Sequence, residues 1–149
     1  MVDLANRNNV SPWFSIPTAA DDEYVREFAT YVRDNLNPEL KIYLEYTNEA
    51  WNGGFPSYRW SVAQGATLGI GGWQYFSKRS TEIFNIWSDV FGEDRLRVQR
   101  SHSRINRILA SQSAYYAAGL TIMDYNGNNL PIWTDNPFGG HRAYEFADS

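Results

Sequence analysis

Cysteine is absent from the 149 residues. That excludes disulfides, thiol nucleophiles and every zinc site built on thiolates. Histidine is nearly absent: His102 and His141 lie far apart, with no carboxylate at ligand spacing, so no metal centre is expected. No apolar run approaches the ~20 residues that span a bilayer. The opening MVDLANRNNV holds no apolar signal-peptide core. Basic charge is scarce as well. The 13 Lys and Arg against 17 Asp and Glu leave a net charge of −4, the wrong sign for a protein that tracks phosphates. Gly69-Ile70-Gly71-Gly72 follows a helical pattern rather than a strand, unlike a dinucleotide fingerprint, and neither a P-loop nor a GxSxG elbow occurs. The expectation is therefore no cofactor, no metal, no nucleic-acid partner and no membrane partner.

Aromatic residues are abundant, at 16%, with 6 Trp and 10 Tyr. Such rings fill cores, and they also stack on sugar faces, which are themselves amphipathic. No repeat, low-complexity tract or linker interrupts the chain, so residues 1–149 read as one domain. Short strand-like runs alternate with helical patterns, the signature of βα units. Trp13–Ile16 is the first predicted strand, and Thr18, Asp21 and Asp22 offer caps for a helix running to Leu36, ahead of Pro38. Lys41–Thr47 is the second strand. A glycine-containing loop, a weak helix over Ser57–Leu68 and a stronger one over Trp73–Phe91 follow, with Gly92 as the stop. Leu96–Val98 is the third predicted strand. Ser103 caps a predicted helix carrying Ile105, Ile108, Leu109 and Tyr116 that ends near Gly119, and Pro131–Thr134 is the fourth strand. Four strands with right-handed crossovers make parallel neighbours. They form either a small open α/β sheet or part of a (β/α)8 barrel, which takes about 250 residues when complete.

The stretch Tyr43-Leu-Glu-Tyr-Thr-Asn-Glu-Ala-Trp-Asn52 carries the chemistry. An Asn-Glu pair ends a predicted parallel strand, where barrel enzymes place catalytic groups. A carboxyl walled by aromatics such as Trp51 has its proton affinity raised by desolvation, which suits a general acid. The neighbouring amide both donates and accepts, so it can grip a hydroxyl beside the reacting carbon.

The Asn48-Glu49 pair resembles the acid/base motif of the retaining TIM-barrel glycoside hydrolases of clan A. Together with Pro12–Pro17, Ala20–Val25 and Tyr43–Asn52, the chain is similar to a cellulase-like bacterial family over roughly strands three to six of the barrel. The resemblance implies an α/β fold, a partial (β/α)8 TIM barrel of about four parallel βα units, truncated at both ends. It implies Glu49 as acid/base, Asn48 on the sugar 2-hydroxyl, and a β-linked polysaccharide as substrate and partner. Trp13, Trp51, Asn52, His102 and Asp135 are the candidate substrate-binding residues, and a secreted or periplasmic parent is implied.

The clan's nucleophile is a second Glu ending strand seven, and the sequence reads as stopping before that strand. Glu145 falls in a helical pattern and is not given the role, so the isolated chain is expected to be inactive. Glu45 shares the strand parity of Glu49 and is expected first as a structural ion pair or hydrogen bond, and second in a substrate role. A loop or capping role competes with a site role for Asp135, and a core role competes with a pocket wall for Trp13 and Trp51. Trp73 and Trp87 read as helix packing. Two other readings stand beside the hydrolase: a non-catalytic carbohydrate-binding barrel protein, and a small α/β domain of unrelated function.

Overall fold

A computed structural model describes residues 1–92, 104–111 and 116–123. Among them are five helices and a three-stranded parallel sheet in the order β1-β2-β3, where β1 is Trp13–Ile16, β2 is Ile42–Tyr46 and β3 is Ile105–Ile108. The fold is thus α/β with an open sheet. Register aligns Trp13 with Tyr43 and Asn106, and Ser15 with Glu45 and Ile108.

Strand β1 lies between Pro12 and Pro17 and alternates in burial, with Phe14 and Ile16 inward and Trp13 and Ser15 outward. Helix α2 (Asp22–Asn35) starts where the Asp21 carboxylate accepts the Tyr24 amide at 2.8 Å, a cap of about 1 kcal/mol. Val25, Ala29 and Val32 repeat at helical spacing and form its buried stripe. In β2, Ile42, Leu44 and Tyr46 face the helices, while Tyr43 and Glu45 face the other side.

Helix α3 (Pro56–Thr67) buries only small residues, Ser57, Ser61 and Gly65. A Cβ at Gly65 would come within 2.7 Å of the Ile70 carbonyl oxygen, and one at Gly72 within 2.7 Å of Val62 Cγ2. Small side chains are what let α3 approach the start of α4 (Gly72–Phe91) this closely. Helix α4 is the centre of the core. Its Trp87 is fully buried against Phe14, Phe28 and Phe91, a burial of about 3 kcal/mol. Its buried hydroxyls return to their own helix: Ser80 donates to Phe76 O, Thr81 to Ser77 O and Ser88 to Phe84 O. Arg79 clamps α4 to the entry of α2, donating to Asp22 at 2.6 Å and to Ala20 O at 2.9 Å.

Two elements depart from expectation. A short helix, α1 (Val2–Asn8), precedes β1 and buries Val2 and Ala5. Its Asn6 both donates to Asn35 O and accepts from Asn37 N, tying it to the end of α2. The predicted helix from Ser103 is instead a strand over Ile105–Ile108, and helix α5 (Tyr116–Met123) begins only afterwards. The apolar residues Ile105, Ile108 and Leu109 fit a helical stripe. The run is also short, with isoleucine at both ends, and the free edge of β2 gives its backbone a ladder that outweighs local pattern. Arg104 reinforces the docking, its guanidinium donating to Leu36, Asn37 and Leu40 carbonyls at 3.0–3.4 Å. The predicted strands Leu96–Val98 and Pro131–Thr134 lie outside the described residues.

Candidate active site

The chain leaves β2 through a conformation that ordinary residues avoid. Thr47 and Glu49 both have positive φ, 50° and 58°, and neither is glycine. Left-handed backbone costs about 1–2 kcal/mol per L-residue, and a β-branched threonine there is a true outlier. Surrounding bonds hold the turn in place. Thr47 N donates to Ile16 O at 3.1 Å, continuing the ladder one residue beyond the strand. The Thr47 hydroxyl meets that of Thr18 at 2.6 Å, and the buried Tyr46 hydroxyl donates to Thr18 O at 2.7 Å. On the far side Ser57 Oγ donates to Asn48 O at 2.8 Å, while Ala50, 1% exposed, plugs the turn into the core.

Asn52 completes the turn. Its amide N–H donates to Glu49 O at 3.0 Å, its Oδ1 accepts from Gly54 N at 3.0 Å, and its Nδ2 stands 3.5 Å from Glu49 Oε2. The Glu49 carboxylate is half-buried at the C-terminal end of the central strand, and Asn48 beside it is exposed. Trp51 is half-buried against the core, and its carbonyl accepts from Trp73 Nε1 at 3.3 Å. Trp73 itself packs partly buried against the core.

Trp13 stands elsewhere than expected. It is the first residue of β1, not the last, so its backbone lies about 10 Å along the sheet from the strand end. Its ring is 49% exposed, stacks on Tyr43 at 5.8 Å and donates from Nε1 to Glu45 Oε2 at 2.9 Å. Trp13 thus meets Glu45 rather than Asn48 or Trp51.

The expected buried carboxyl is also displaced by four residues. Glu45, at 8% exposure, is the enclosed one. Burial raises its proton affinity above the ordinary carboxylate value, the Trp13 N–H opposes that rise, and the nearby Glu49 charge adds to it. Glu45 is thus hydrogen-bonded, as its strand parity allowed. The parts that sequence reasoning missed are Thr18, Thr47 and Ser57. The first two follow the ends of adjacent parallel strands, a placement visible only once the register is known.

A cavity of about 310 Å³ lined by Met1, Leu4, Ala5, Val10 and Pro12 opens beside α1, and Glu49 does not line it. Among the described residues no group of three or more His, Cys, Asp or Glu could hold a metal ion. His102, Asp135, His141 and Glu145 lie outside the described residues. Compared with known proteins, the chain matches no family model, no curated protein and no solved structure.

Proposed function

We propose that the Asn48–Glu49 turn is the acid/base end of a glycoside hydrolase-like (β/α)8 barrel acting on β-linked polysaccharide, with β1–β3 as consecutive barrel strands. The observation that supports this most is the strained Thr47–Glu49 turn at the C-terminal end of a central parallel strand. Strain of this kind persists only where surrounding bonds over-determine it, and it concentrates at functional sites. In this reading Glu49 gives its proton to the leaving glycosidic oxygen and takes one back from water in the second half of a double displacement. Asn48, exposed beside it, holds the 2-hydroxyl, and Trp51 walls the subsite. Asn52 braces the Glu49 carboxylate rather than meeting sugar. The nucleophile must lie about 5–5.5 Å from Glu49, and no residue is assigned to it.

Non-catalytic sugar binding is the second reading. It is favoured by the engagement of Glu45, the neighbouring carboxyl, with Trp13. Titration of the full chain with gluco-, manno- and xylo-oligosaccharides, followed by backbone amide NMR, tests both. Shifts confined to residues 47–52 with one oligomer class support a sugar site, and hydrolysis of that oligomer then separates enzyme from binder. No shift at these residues with any class overturns both.

A further inference from the structure

The open face of the sheet holds a second arrangement, away from the strand-end turn. Trp13, Ser15, Tyr43, Glu45, Asn106 and Ile108 share that face by register. Glu45 is 8% exposed, and a carboxylate so enclosed is ordinarily matched by a cation. No Lys or Arg among the described residues bridges it. Its hydrogen bond comes from Trp13 Nε1 to Oε2 at 2.9 Å, and among the described residues Oε1 accepts none. Beside it Trp13, 49% exposed, stacks on Tyr43 with ring centroids 5.8 Å apart and planes inclined by 14°. We propose that the Trp13–Tyr43–Glu45 face binds the ammonium group of a small organic amine, the cation lying against the indole and donating to Glu45 Oε1.

Charge and size select this occupant. An aromatic face attracts a cation through its quadrupole, most strongly for tryptophan and where water is excluded. The desolvation that raises the proton affinity of Glu45 is relieved by an opposite charge beside it. A neutral sugar could stack on the indole, but it would leave that carboxylate uncompensated. An ammonium N–H suits the free Oε1, and Ser15 and Asn106 carry further acceptors on the flanking strands. Strands about 4.8 Å apart bring these groups within the span of one small molecule. A protein partner would need about 1,000 Å² of buried surface, more than six residues supply. The inference goes beyond the sugar reading and does not rest on it, because Trp13 starts β1 rather than ending it.

Titration of the full chain with n-butylammonium chloride at constant ionic strength, followed by backbone amide NMR, tests this. The alcohol n-butanol serves as the neutral counterpart. Saturable shifts at Trp13, Ser15, Glu45 and Asn106 are expected with the ammonium ion and none with the alcohol. Glu45→Gln keeps the shape and removes the charge, and it is expected to weaken binding at least about tenfold. Trp13→Leu removes the ring and its N–H together and is expected to weaken binding several-fold. No saturable shift at these residues, equal shifts with n-butanol, or undiminished binding in Glu45→Gln overturns the proposal. Should Glu45→Gln fail to fold, Trp13→Leu, altered at a half-exposed side chain, decides the matter: undiminished binding there overturns it. The sugar reading is scored at residues 47–52 with oligosaccharides, so either can fail while the other stands.

Discussion

Glu49 offers a test in which the sign alone decides. Glu49→Ala and Glu49→Gly both remove the carboxylate and its long contact with Asn52, so their difference isolates the backbone. At φ 58° alanine keeps a left-handed cost of about 1–2 kcal/mol that glycine escapes. Against this, glycine gives up about 0.5–1 kcal/mol of extra backbone entropy on folding. Glycine is therefore expected to be the more stable variant, by up to about 1.5 kcal/mol. In a chain of this length each kcal/mol raises the melting midpoint by about 2–4 °C. Asn48 provides the control, because its φ is not positive. There the order inverts, with alanine at least as stable as glycine. Urea unfolding followed by far-UV circular dichroism measures both pairs. Alanine more stable than glycine at position 49 would refute the strained turn, and with it the main support for a functional site at this strand end.

Glu45 takes up a proton more readily folded than unfolded, so its contribution is fully present below the unfolded midpoint and is lost as pH rises through the folded one. Glu45→Gln should therefore gain on the wild type in melting temperature as pH rises above the ordinary glutamate midpoint of about 4.3, and parallel curves would sink that assignment. Arg104→Ala deletes three donors to the carbonyls at the end of α2 and should cost about 2 kcal/mol in urea unfolding; a loss within about 0.5 kcal/mol would mark it as a surface side chain. Gly65→Ala should destabilise by about 1–3 kcal/mol, because the new Cβ meets the Ile70 and Gly71 carbonyl oxygens. Helix propensity alone predicts the opposite sign, so a stabilised variant would disprove the close approach of α3 to Ile70–Gly71.

The parts of the fold legible in the sequence are those where local and global preferences agree. Pro12 and Pro17 frame β1, Asp21 caps α2, and Gly92 stops α4 with a φ of 67°. Ile105–Ile108 was illegible because its spacing suits a helix and only the edge of β2 makes it a strand. The seven residues of α1 were illegible for another reason. The helix holds through Asn6, whose partners Asn35 and Asn37 lie about thirty residues away. At the site, Asn48 and Glu49 were visible as a strand-end pair. Thr18 reads in the sequence as a helix cap and Ser57 as a helix start, so neither marks the turn it secures, and Trp13 sits at the wrong end of β1 for the groove it was expected to line.

Arg104 bears on the order in which the molecule assembles. Strands β1 and β2 are joined through α2 alone, whereas Arg104 reaches carbonyls 64–68 residues back along the chain. Closing a loop of that size costs entropy before any contact repays it. The β1-α2-β2 unit can thus form as a local nucleus, and β3 arrives after it. A residue that joins late carries little weight in the rate-limiting step and much in the lifetime of the finished state. Damage at Arg104 or Ile105 is then expected to leave the refolding rate nearly untouched and to shorten the time the native protein survives before opening.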